Sequence, residues 1–250
     1  MIIKTANKIL RRFGFRISKD GPDIPSDILN DGTFMKLYNR CKEHTMTSVE
    51  RMYGLYQALN YVTENNIAGD FVECGVWKGG SSMMIGLFLR DRGILDRKIY
   101  LYDTFEGMST PSDFDKNAAG ELASGLLEVQ DKKDETSIWC YSSLEEVKLN
   151  LQSTGYPSGN IVFVKGKVED TLTNNLPGKL ALLRLDTDWY ESTKIELELL
   201  YPLLSDNGIL IIDDFGFWEG AKKAVIEYFS KIGRNPFLQR IDFTGRIMIK

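Results

Sequence analysis

Two apolar segments of the chain end in acidic side chains. One ends in Asp186, with Asp188 two positions further on, and the other ends in the adjacent pair Asp213 and Asp214. If both segments are strands of a parallel sheet, their carboxyl ends meet at the edge where ligands of such sheets bind. Carboxylates brought together repel one another unless they take up protons or share a cation. An all-oxygen set of this kind predicts Mg²⁺, with Mn²⁺ as the alternative, on Asp186, Asp213 and Asp214.

A divalent cation at this edge would serve the transfer of a group to a hydroxyl. It would orient the hydroxyl and stabilise the oxygen anion that forms on deprotonation. We expect Asp186 to be both a metal ligand and the general base. The simpler alternative is that the acids cap the helices that follow them. A cap explains Asp188 more readily than the Asp213–Asp214 pair, because one acid is enough for a cap.

A glycine-rich turn forms a second group of chemistry-bearing residues. Residues 71–82 have the pattern of a strand that turns through Gly75, Gly79 and Gly80 into a helix beginning near Ser81. Such a turn lets a ligand approach the backbone and meet a helix N-terminus. It lacks the glycine spacing of dinucleotide folds and the Gly-Lys-Ser/Thr of phosphate loops. The alternative is that these glycines only permit close packing of a helix on the sheet.

Acidic residues accompany this turn. Glu73, two residues before Gly75, would pair with the ammonium of an amino-acid moiety. Asp103 ends the next strand, where doubly wound folds place a carboxylate on ribose hydroxyls. Glu169 either borders an adenine or opens a helix, where acids are favoured. This arrangement suits S-adenosylmethionine, and the predicted cofactor-binding residues are Glu73, Gly75, Gly79, Ser81, Asp103 and Glu169.

One histidine and several aromatic residues lie near these loops in the sequence. His44 is a conceivable catalytic base, but a single histidine is more often structural. The aromatic residues would stack on a ligand or pack in the core, and both roles are common for such rings. They are Trp77, Trp189, Tyr190 and Trp218.

The elements that must position these residues follow an α/β pattern. Short apolar runs alternate with amphipathic segments, which predicts a doubly wound, Rossmann-like, mainly parallel sheet of seven strands covered by helices. The predicted strands are residues 71–76, 99–105, 161–167, 180–186, 208–215, 237–242 and 246–249, the last two forming an antiparallel hairpin. The predicted helices are residues 48–62, 80–91, 143–153, 190–204 and 219–232. Residues 20–33 are expected to form a loop, and residues 106–141 a lid, a specificity loop or a partly disordered segment.

Composition limits the classes of partner. The chain has 250 residues, 43% of them hydrophobic, and a formal net charge of -4, so a single α/β domain is expected and nucleic acid is not an expected partner. The sequence contains no apolar run of membrane-spanning length and no secretory signal, which predicts a cytoplasmic protein. The three cysteines lack metal-type spacing and are expected to be reduced thiols.

The first 19 residues have a different character. They carry six basic side chains and no acidic one, and apolar residues recur at helical spacing. This pattern predicts a basic amphipathic helix. The helix would pack on its own domain or on a second subunit of a homodimer, or would lie on the inner face of a membrane as a peripheral contact.

The motifs together resemble the macrocin O-methyltransferase family, the TylF/MycF type of antibiotic-sugar methyltransferase. The matching segments are residues 73–81, 102–108, 165–172, 185–193 and 211–215, in the family's order. The resemblance implies a class I methyltransferase fold. We expect a methyltransferase domain over residues 46–250, preceded by a helical extension over residues 1–45 whose basic helix is not part of the family pattern. The resemblance also implies S-adenosylmethionine as the donor, Mg²⁺ as cofactor, and a sugar or phenol-like hydroxyl as acceptor.

The resemblance extends to single residues. Asp186, Asp213 and Asp214 match the family's metal ligands, with Asp186 as the base. Thr187 and Trp189 stand where the family pattern has Gly and Leu, a departure that bears on the acceptor. We expect this acceptor to be a small molecule or a glycan, including a glycan precursor at the inner membrane face.

Two other functions are compatible with a sheet of this kind. A nucleotide-sugar or NAD-dependent oxidoreductase would need the dinucleotide glycine spacing and a Tyr-x-x-x-Lys relay. Tyr190 and Lys194 have the relay spacing, but they lie inside a predicted helix after the acidic strand end. A non-catalytic partner subunit is the second alternative, and the intact acids argue against it.

Overall fold

The computed structural model describes residues 24–134 and 136–250, and these form a seven-stranded sheet. The strands are β1 Asp70–Cys74, β2 Ile99–Asp103, β3 Ile161–Lys165, β4 Leu180–Leu185, β5 Leu204–Ile212, β6 Gln239–Arg240 and β7 Arg246–Ile249. Their order is β3-β2-β1-β4-β5-β7-β6. The first five strands pair in parallel, and β7 is antiparallel to both β5 and β6. The predicted fold class is confirmed, including the antiparallel hairpin.

Helices precede the sheet or connect its strands. They are α1 Ser26–Asn30, α2 Gly32–Cys41, α3 Val49–Glu64, α4 Gly80–Asp91, α5 Ala123–Glu128, α6 Leu144–Ser153, α7 Val168–Thr171, α8 Tyr190–Leu200 and α9 Glu219–Lys231. Short 3₁₀ turns lie at Lys42–His44, Ser158–Asn160 and Tyr201–Leu203. Serine side chains cap the N-termini of α3 and α6. The Ser48 hydroxyl accepts from the Arg51 N–H at 3.1 Å, and the Ser143 hydroxyl accepts from the Glu146 N–H at 3.2 Å.

The two faces of the sheet bury separate cores. Phe71 and Leu182 pack with residues of α2, α3 and α4, whereas Val72 and Leu183 pack with residues of α8 and α9. Successive side chains of a strand point to opposite faces, so a central strand covered on both sides is mostly apolar. The buried charged residues of the two central strands, Glu73 in β1 and Arg184 in β4, lie next to the last residue of each strand.

The prediction of a loop over residues 20–33 is wrong for its described part. Helix α1 and the start of α2 lie there, and the carboxylate of Asp31 caps α2 by accepting from the Phe34 N–H at 2.9 Å. Pro25 and Gly32 suggested a loop, but Pro25 precedes a helix and Gly32 begins one. The basic helix predicted for residues 1–19 lies outside the described residues, and the boundary at residue 45 stays a prediction.

The described part of residues 106–141 is tied to the domain by buried Asp115. One oxygen of its carboxylate accepts from the Tyr190 N–H at 2.8 Å, and the other accepts from the N–H and hydroxyl of Ser112. Nearby, the Trp189 indole donates to the Ser109 carbonyl at 3.1 Å. This segment, which we call the lid, is therefore attached to the start of α8, directly after the acidic end of β4.

Two further expectations concern the whole chain. All three cysteines carry free thiols, as predicted. Across residues 24–134 and 136–250, no helix is both long and apolar enough to cross a membrane.

The contacts by which Asp115 attaches the lid to α8 lead to a testable prediction. Asp115→Ala should lower the free energy of unfolding by about 2 kcal/mol or more, because it leaves the buried Tyr190 N–H without an acceptor. Urea denaturation measures the change, and limited proteolysis should show faster cleavage within residues 106–141. Asp113→Ala is the control, since Asp113 is exposed in the same segment and its loss should cost less than about 0.5 kcal/mol. Equal stability of the two variants would contradict the anchoring role.

Candidate active site

The carboxyl ends of β1, β2, β4 and β5 open into a cleft of about 380 Å³. Eight of the predicted site residues line it, namely Glu73, Gly75, Ser81, Asp103, Glu169, Asp186, Asp213 and Asp214. Gly79 does not, because it forms the left-handed N-cap of α4 beneath the turn. The volume is that of a small-molecule site. The structure thus gathers residues that are up to about 140 positions apart in the sequence.

The glycines of the turn bring backbone against backbone. A Cβ at Gly75 would overlap the carbonyl of Asp186, and a Cβ at Gly80 would overlap the backbone of His44. Gly75 also has a φ of 80°, a left-handed conformation that glycine adopts without strain. Close packing and a ligand cradle are therefore compatible, since the turn that permits the packing also lines the cleft.

Asp103 holds the turn from the side. One of its carboxylate oxygens accepts from the Val76 N–H at 2.6 Å and the Trp77 N–H at 3.3 Å, and the other accepts from the Phe105 N–H at 2.6 Å. Burial raises the pKa of Asp103, and these backbone hydrogen bonds oppose that rise. The structure places Asp103 in the cleft, and its contact with a ribose stays a prediction.

A single arginine joins acids at the ends of three strands. The Nη1 of Arg184 donates to Glu73 Oε1 and to Asp186 Oδ2, both at 2.7 Å, and its Nη2 donates to Asp213 Oδ1 at 2.8 Å. Arg184 is 3% exposed and Glu73 is 1% exposed. The second oxygen of Glu73 accepts from the Ser82 hydroxyl. One buried guanidinium is therefore shared by three carboxylates.

A second arginine extends this network toward the hairpin. The Nη1 of Arg51 donates to Asp213, and its Nε lies 3.1 Å from Asp242 Oδ2. Asp242 also accepts from the Ser48 hydroxyl at 2.7 Å, and the Thr244 hydroxyl donates to the Asp213 carbonyl at 2.9 Å. Asp213 is consequently enclosed by two arginines at the junction of α3, β5 and the hairpin.

The carboxylates that approach one another in the cleft are Asp186, Asp188 and Asp214. One oxygen of each lies within 4.8 Å of the others. This set differs from the predicted set, because Asp188 takes the place of Asp213. Both Asp213 and Asp214 line the cleft, but the Asp213 carboxylate bonds to Arg51 and Arg184, whereas the Asp214 carboxylate approaches Asp186 and Asp188. Asp188 has a φ of 68°, an uncommon conformation for an aspartate that turns its backbone at the strand end.

Burial raises the pKa of all three of these carboxyl groups. For Asp186 the Arg184 guanidinium opposes the rise, and the pKa still lies well above its usual range. Burial raises the pKa of Asp188 to about 7, and the pKa of Asp214 lies well above its usual range because of burial and the Asp188 charge. A cation among these groups would favour their ionised forms.

Two observations show that the carboxylates of the cleft suit a hard divalent cation. Asp214 Oδ2 is buried and accepts no hydrogen bond from the described residues. The connected acids also outnumber the two guanidiniums that reach them, the acids being Glu73, Asp186, Asp188, Asp213, Asp214 and Asp242. Oxygen donors with excess negative charge are the ligands that Mg²⁺ and Mn²⁺ bind.

Sequence reasoning missed three residues of the site. Arg184 is the only charged residue within β4, and a charge in an otherwise apolar buried strand signals a buried ion pair. Arg51 carries no such signal, because it lies in an amphipathic helix. Glu196 is fully buried in α8, where it accepts from the Thr187 hydroxyl at 2.9 Å and holds the turn between Asp186 and Asp188.

The remaining predicted residues are divided between the cleft and the core. Glu169 both begins α7 and lines the cleft, so neither of its two interpretations is excluded. His44, Trp77 and Trp218 line the cleft. Trp189 does not, and it packs edge-on against Trp218 with ring centroids 4.9 Å apart.

The parallel sheet, the glycine turn after β1 and the acidic ends of β4 and β5 define a class I methyltransferase. The sequence profile of the macrocin-O-methyltransferase (TylF) family matches residues 39–250. The chain belongs to this family. It is an S-adenosylmethionine-dependent O-methyltransferase, as predicted.

Named relatives support this membership. The chain is 34% identical over 206 residues to the 8-demethyl-8-(2,3-dimethoxy-alpha-L-rhamnosyl)-tetracenomycin-C 4'-O-methyltransferase of Streptomyces olivaceus, with 81% of this chain and 74% of the relative covered. It is 29% identical to the mycinamicin III 3''-O-methyltransferase of Micromonospora griseorubida, with 81% and 76% covered. The solved O-methyltransferase NovP has a TM-score of 0.70 and 32% identity, covering 83% of this chain and 82% of NovP.

The shared guanidinium generates a second prediction. Arg184→Met should lower the free energy of unfolding by about 3–5 kcal/mol, because it leaves buried carboxylates without their counter-charge. Thermal and urea unfolding at neutral pH measure the loss. Arg92→Met is the control, because Arg92 lies at the surface and bonds to Asn60. If the two variants were equally stable, the network would not support the fold.

Proposed function

We propose that this enzyme transfers the methyl group of S-adenosylmethionine to a sugar hydroxyl and that it requires Mg²⁺ or Mn²⁺ held by Asp186, Asp188 and Asp214. The main support for a metal site is that one oxygen of each of these carboxylates lies within 4.8 Å of the others. One of the three residues, Asp214, also has a buried oxygen that accepts no hydrogen bond from the described residues. Asp213, the third predicted ligand, instead orients the cluster through Arg184 and Arg51.

The donor side of the cleft is proposed to be the turn after β1. Gly75, Ser81 and Glu73 line the cleft there, and the two oxygens of Glu73 accept from Arg184 and from the Ser82 hydroxyl. Asp103 and Glu169 lie on the side of β2 and α7, where they would border the ribose and the adenine. The donor methyl would then lie between this turn and the acid cluster.

The chemistry requires the acceptor hydroxyl to lose its proton as its oxygen bonds to the methyl group. A bound divalent cation would orient that hydroxyl and stabilise the developing charge on its oxygen. Asp186 is the proposed base. Asp188 is a second candidate, because it lines the cleft and lies in the same group of carboxylates as Asp186.

The acceptor is proposed to be a sugar unit, in a small molecule or a glycan. The names of the relatives from Streptomyces olivaceus and Micromonospora griseorubida specify O-methylation at sugar positions of natural products. At the cleft mouth, Phe217 and Phe243 are exposed apolar residues that would contact the part of the acceptor beyond the hydroxyl. Thr187 and Trp189, which depart from the family pattern, bond to Glu196 and to the Ser109 carbonyl and so fix the acidic turn and the lid.

The cellular location of the enzyme and its contacts with a membrane or a second subunit are further proposals. We propose a cytoplasmic enzyme whose basic residues 1–19 make a peripheral contact with the inner membrane face or with a second subunit of a homodimer. The excess of basic side chains in those residues supports the membrane contact. A glycan precursor at that membrane face would then be within reach.

A substitution tests the metal. Asp214→Asn should reduce turnover by about 100-fold or more, because it removes one charged ligand, while the affinity for S-adenosylhomocysteine changes by less than about threefold. Activity with labelled donor and calorimetry measure the two quantities. Asp214 is preferred to Asp213, whose loss would also leave two arginines unpaired. Asp206→Asn is the control, since Asp206 is exposed at the opposite end of β5.

Chelation provides the complementary test of the same proposal. Treatment with EDTA should abolish methylation, and added Mg²⁺ should restore it. Unchanged turnover after chelation would remove the metal from the mechanism. Calorimetry that showed binding of NAD and none of the methyl donor would instead favour the oxidoreductase and overturn the assignment of the donor side.

The acceptor contact can be tested at Phe243, which is 65% exposed at the hairpin turn and lines the cleft. Phe243→Ala should raise KM for the acceptor by about tenfold and leave the affinity for S-adenosylhomocysteine unchanged, because only an apolar acceptor contact is lost. The control is Phe237→Ala, at a phenylalanine that is 81% exposed and lies away from the cleft. Equal acceptor KM values for the two variants would show that the hairpin turn does not contact the acceptor.

A further inference from the structure

Buried polar atoms without a partner are concentrated in the cleft. Among the described residues six side-chain atoms are of this kind, and four of them belong to cleft-lining residues, namely His44, Arg51, Trp77 and Asp214. The Arg51 nitrogen faces Asp242, and the Asp214 oxygen belongs to the acid cluster. Buried indole and imidazole nitrogens normally have hydrogen-bond partners. Trp77 Nε1 and His44 Nδ1 therefore point to a ligand.

Both residues are held at the same corner of the cleft. Trp77 lies in the glycine turn with a φ of 47°, and its backbone N–H is fixed by the Asp103 carboxylate at 3.3 Å. The backbone of His44 lies directly on Gly80, where any larger residue would overlap it. Gly80 is the first residue of α4. The two residues thus adjoin the start of that helix, and both line the cleft.

The charge distribution of the cleft decides which ligand group suits this corner. Two of the acids that line the cleft reach this corner, since Asp103 accepts from the Trp77 N–H and Glu73 accepts from the Ser82 hydroxyl of α4. Asp103 is compensated by three backbone N–H groups and Glu73 by its contact with Arg184, whereas Asp188 and Asp214 make none of the ion pairs found among the described residues. An anionic ligand group would be repelled by the other acids and favoured where N–H donors meet the positive end of a helix dipole.

We propose that Trp77 and His44 bind the carboxylate at the methionine end of the methyl donor. Trp77 donates from Nε1, and His44 donates from Nδ1 in the tautomer that carries its proton there. An indole N–H can only donate, so its partner must be an acceptor, and a carboxylate is the only anionic group of S-adenosylmethionine. This assignment rests on the proposed function and adds two residues to its donor site.

The test compares two ligands that differ at one end. S-adenosylhomocysteine carries the amino-acid moiety, and 5′-methylthioadenosine lacks it. Trp77→Phe and His44→Phe should each weaken the binding of S-adenosylhomocysteine about tenfold, which is the effect of one hydrogen bond to a charged group. The affinity for 5′-methylthioadenosine should change by less than about twofold. Isothermal titration calorimetry measures both ligands on each variant, with thermal melting as the check on folding.

Trp139→Phe is the matched control. The Trp139 indole donates to the Leu127 carbonyl at 3.0 Å inside the lid, so its loss should not alter the ratio of the two affinities. The two cleft substitutions are independent, so either well-folded variant decides the question. An unchanged ratio, or equal weakening of both ligands, overturns the assignment, as does a loss of activity without a change in the ratio, which would place these residues on the acceptor. A wild-type protein that binds neither ligand contradicts the proposed function itself.

Discussion

The sharing of one guanidinium by three buried carboxylates is the constraint on which the site depends. Arg184 projects from the central strand β4 and contacts Glu73 on β1, Asp213 after β5 and Asp186 at its own strand end. A planar guanidinium can satisfy several carboxylates at once, which a lysine cannot. Removing such a charge from water is costly, so the contacts must be nearly complete. They fix the relative positions of three strand ends, and both the glycine turn after β1 and the acid cluster after β4 and β5 depend on that alignment.

The same network separates acids with a structural role from acids left for chemistry. Glu73 forms an ion pair with Arg184, and Asp213 forms ion pairs with Arg184 and Arg51. Asp242 is held by Arg51 and Ser48. The carboxylates of Asp188 and Asp214 make none of the ion pairs found among the described residues. Carboxylates without counter-charges are unstable together, and this instability is what a divalent cation would relieve. The fold therefore pairs Glu73, Asp213 and Asp242 with arginines and leaves the carboxylates of Asp188 and Asp214 without a cationic partner among the described residues.

Sequence patterns predicted the sheet and the edge where the site lies, because periodicity and strand ends are local signals. They predicted the hairpin, the helix over residues 80–91 and eight of the residues that line the cleft. They did not predict which of two adjacent aspartates approaches Asp186 and Asp188 and which binds the arginines, because Asp213 and Asp214 follow the same strand. The role of Arg51 was equally hidden, because its partners lie 162 and 191 positions away by subtraction of their numbers. Long-range pairing has no signature in a single sequence.

The hairpin that closes the sheet also affects when the site can form during synthesis. Residues 242–245 supply the contacts that hold Arg51 and Asp213, and Arg246–Ile249 pairs with β5. A growing chain that has emerged only as far as β5 has its acidic cluster but not the segment that orients it. Its carboxylates would then repel one another at the edge of an open sheet. The acid network is therefore complete only when the hairpin has joined the sheet.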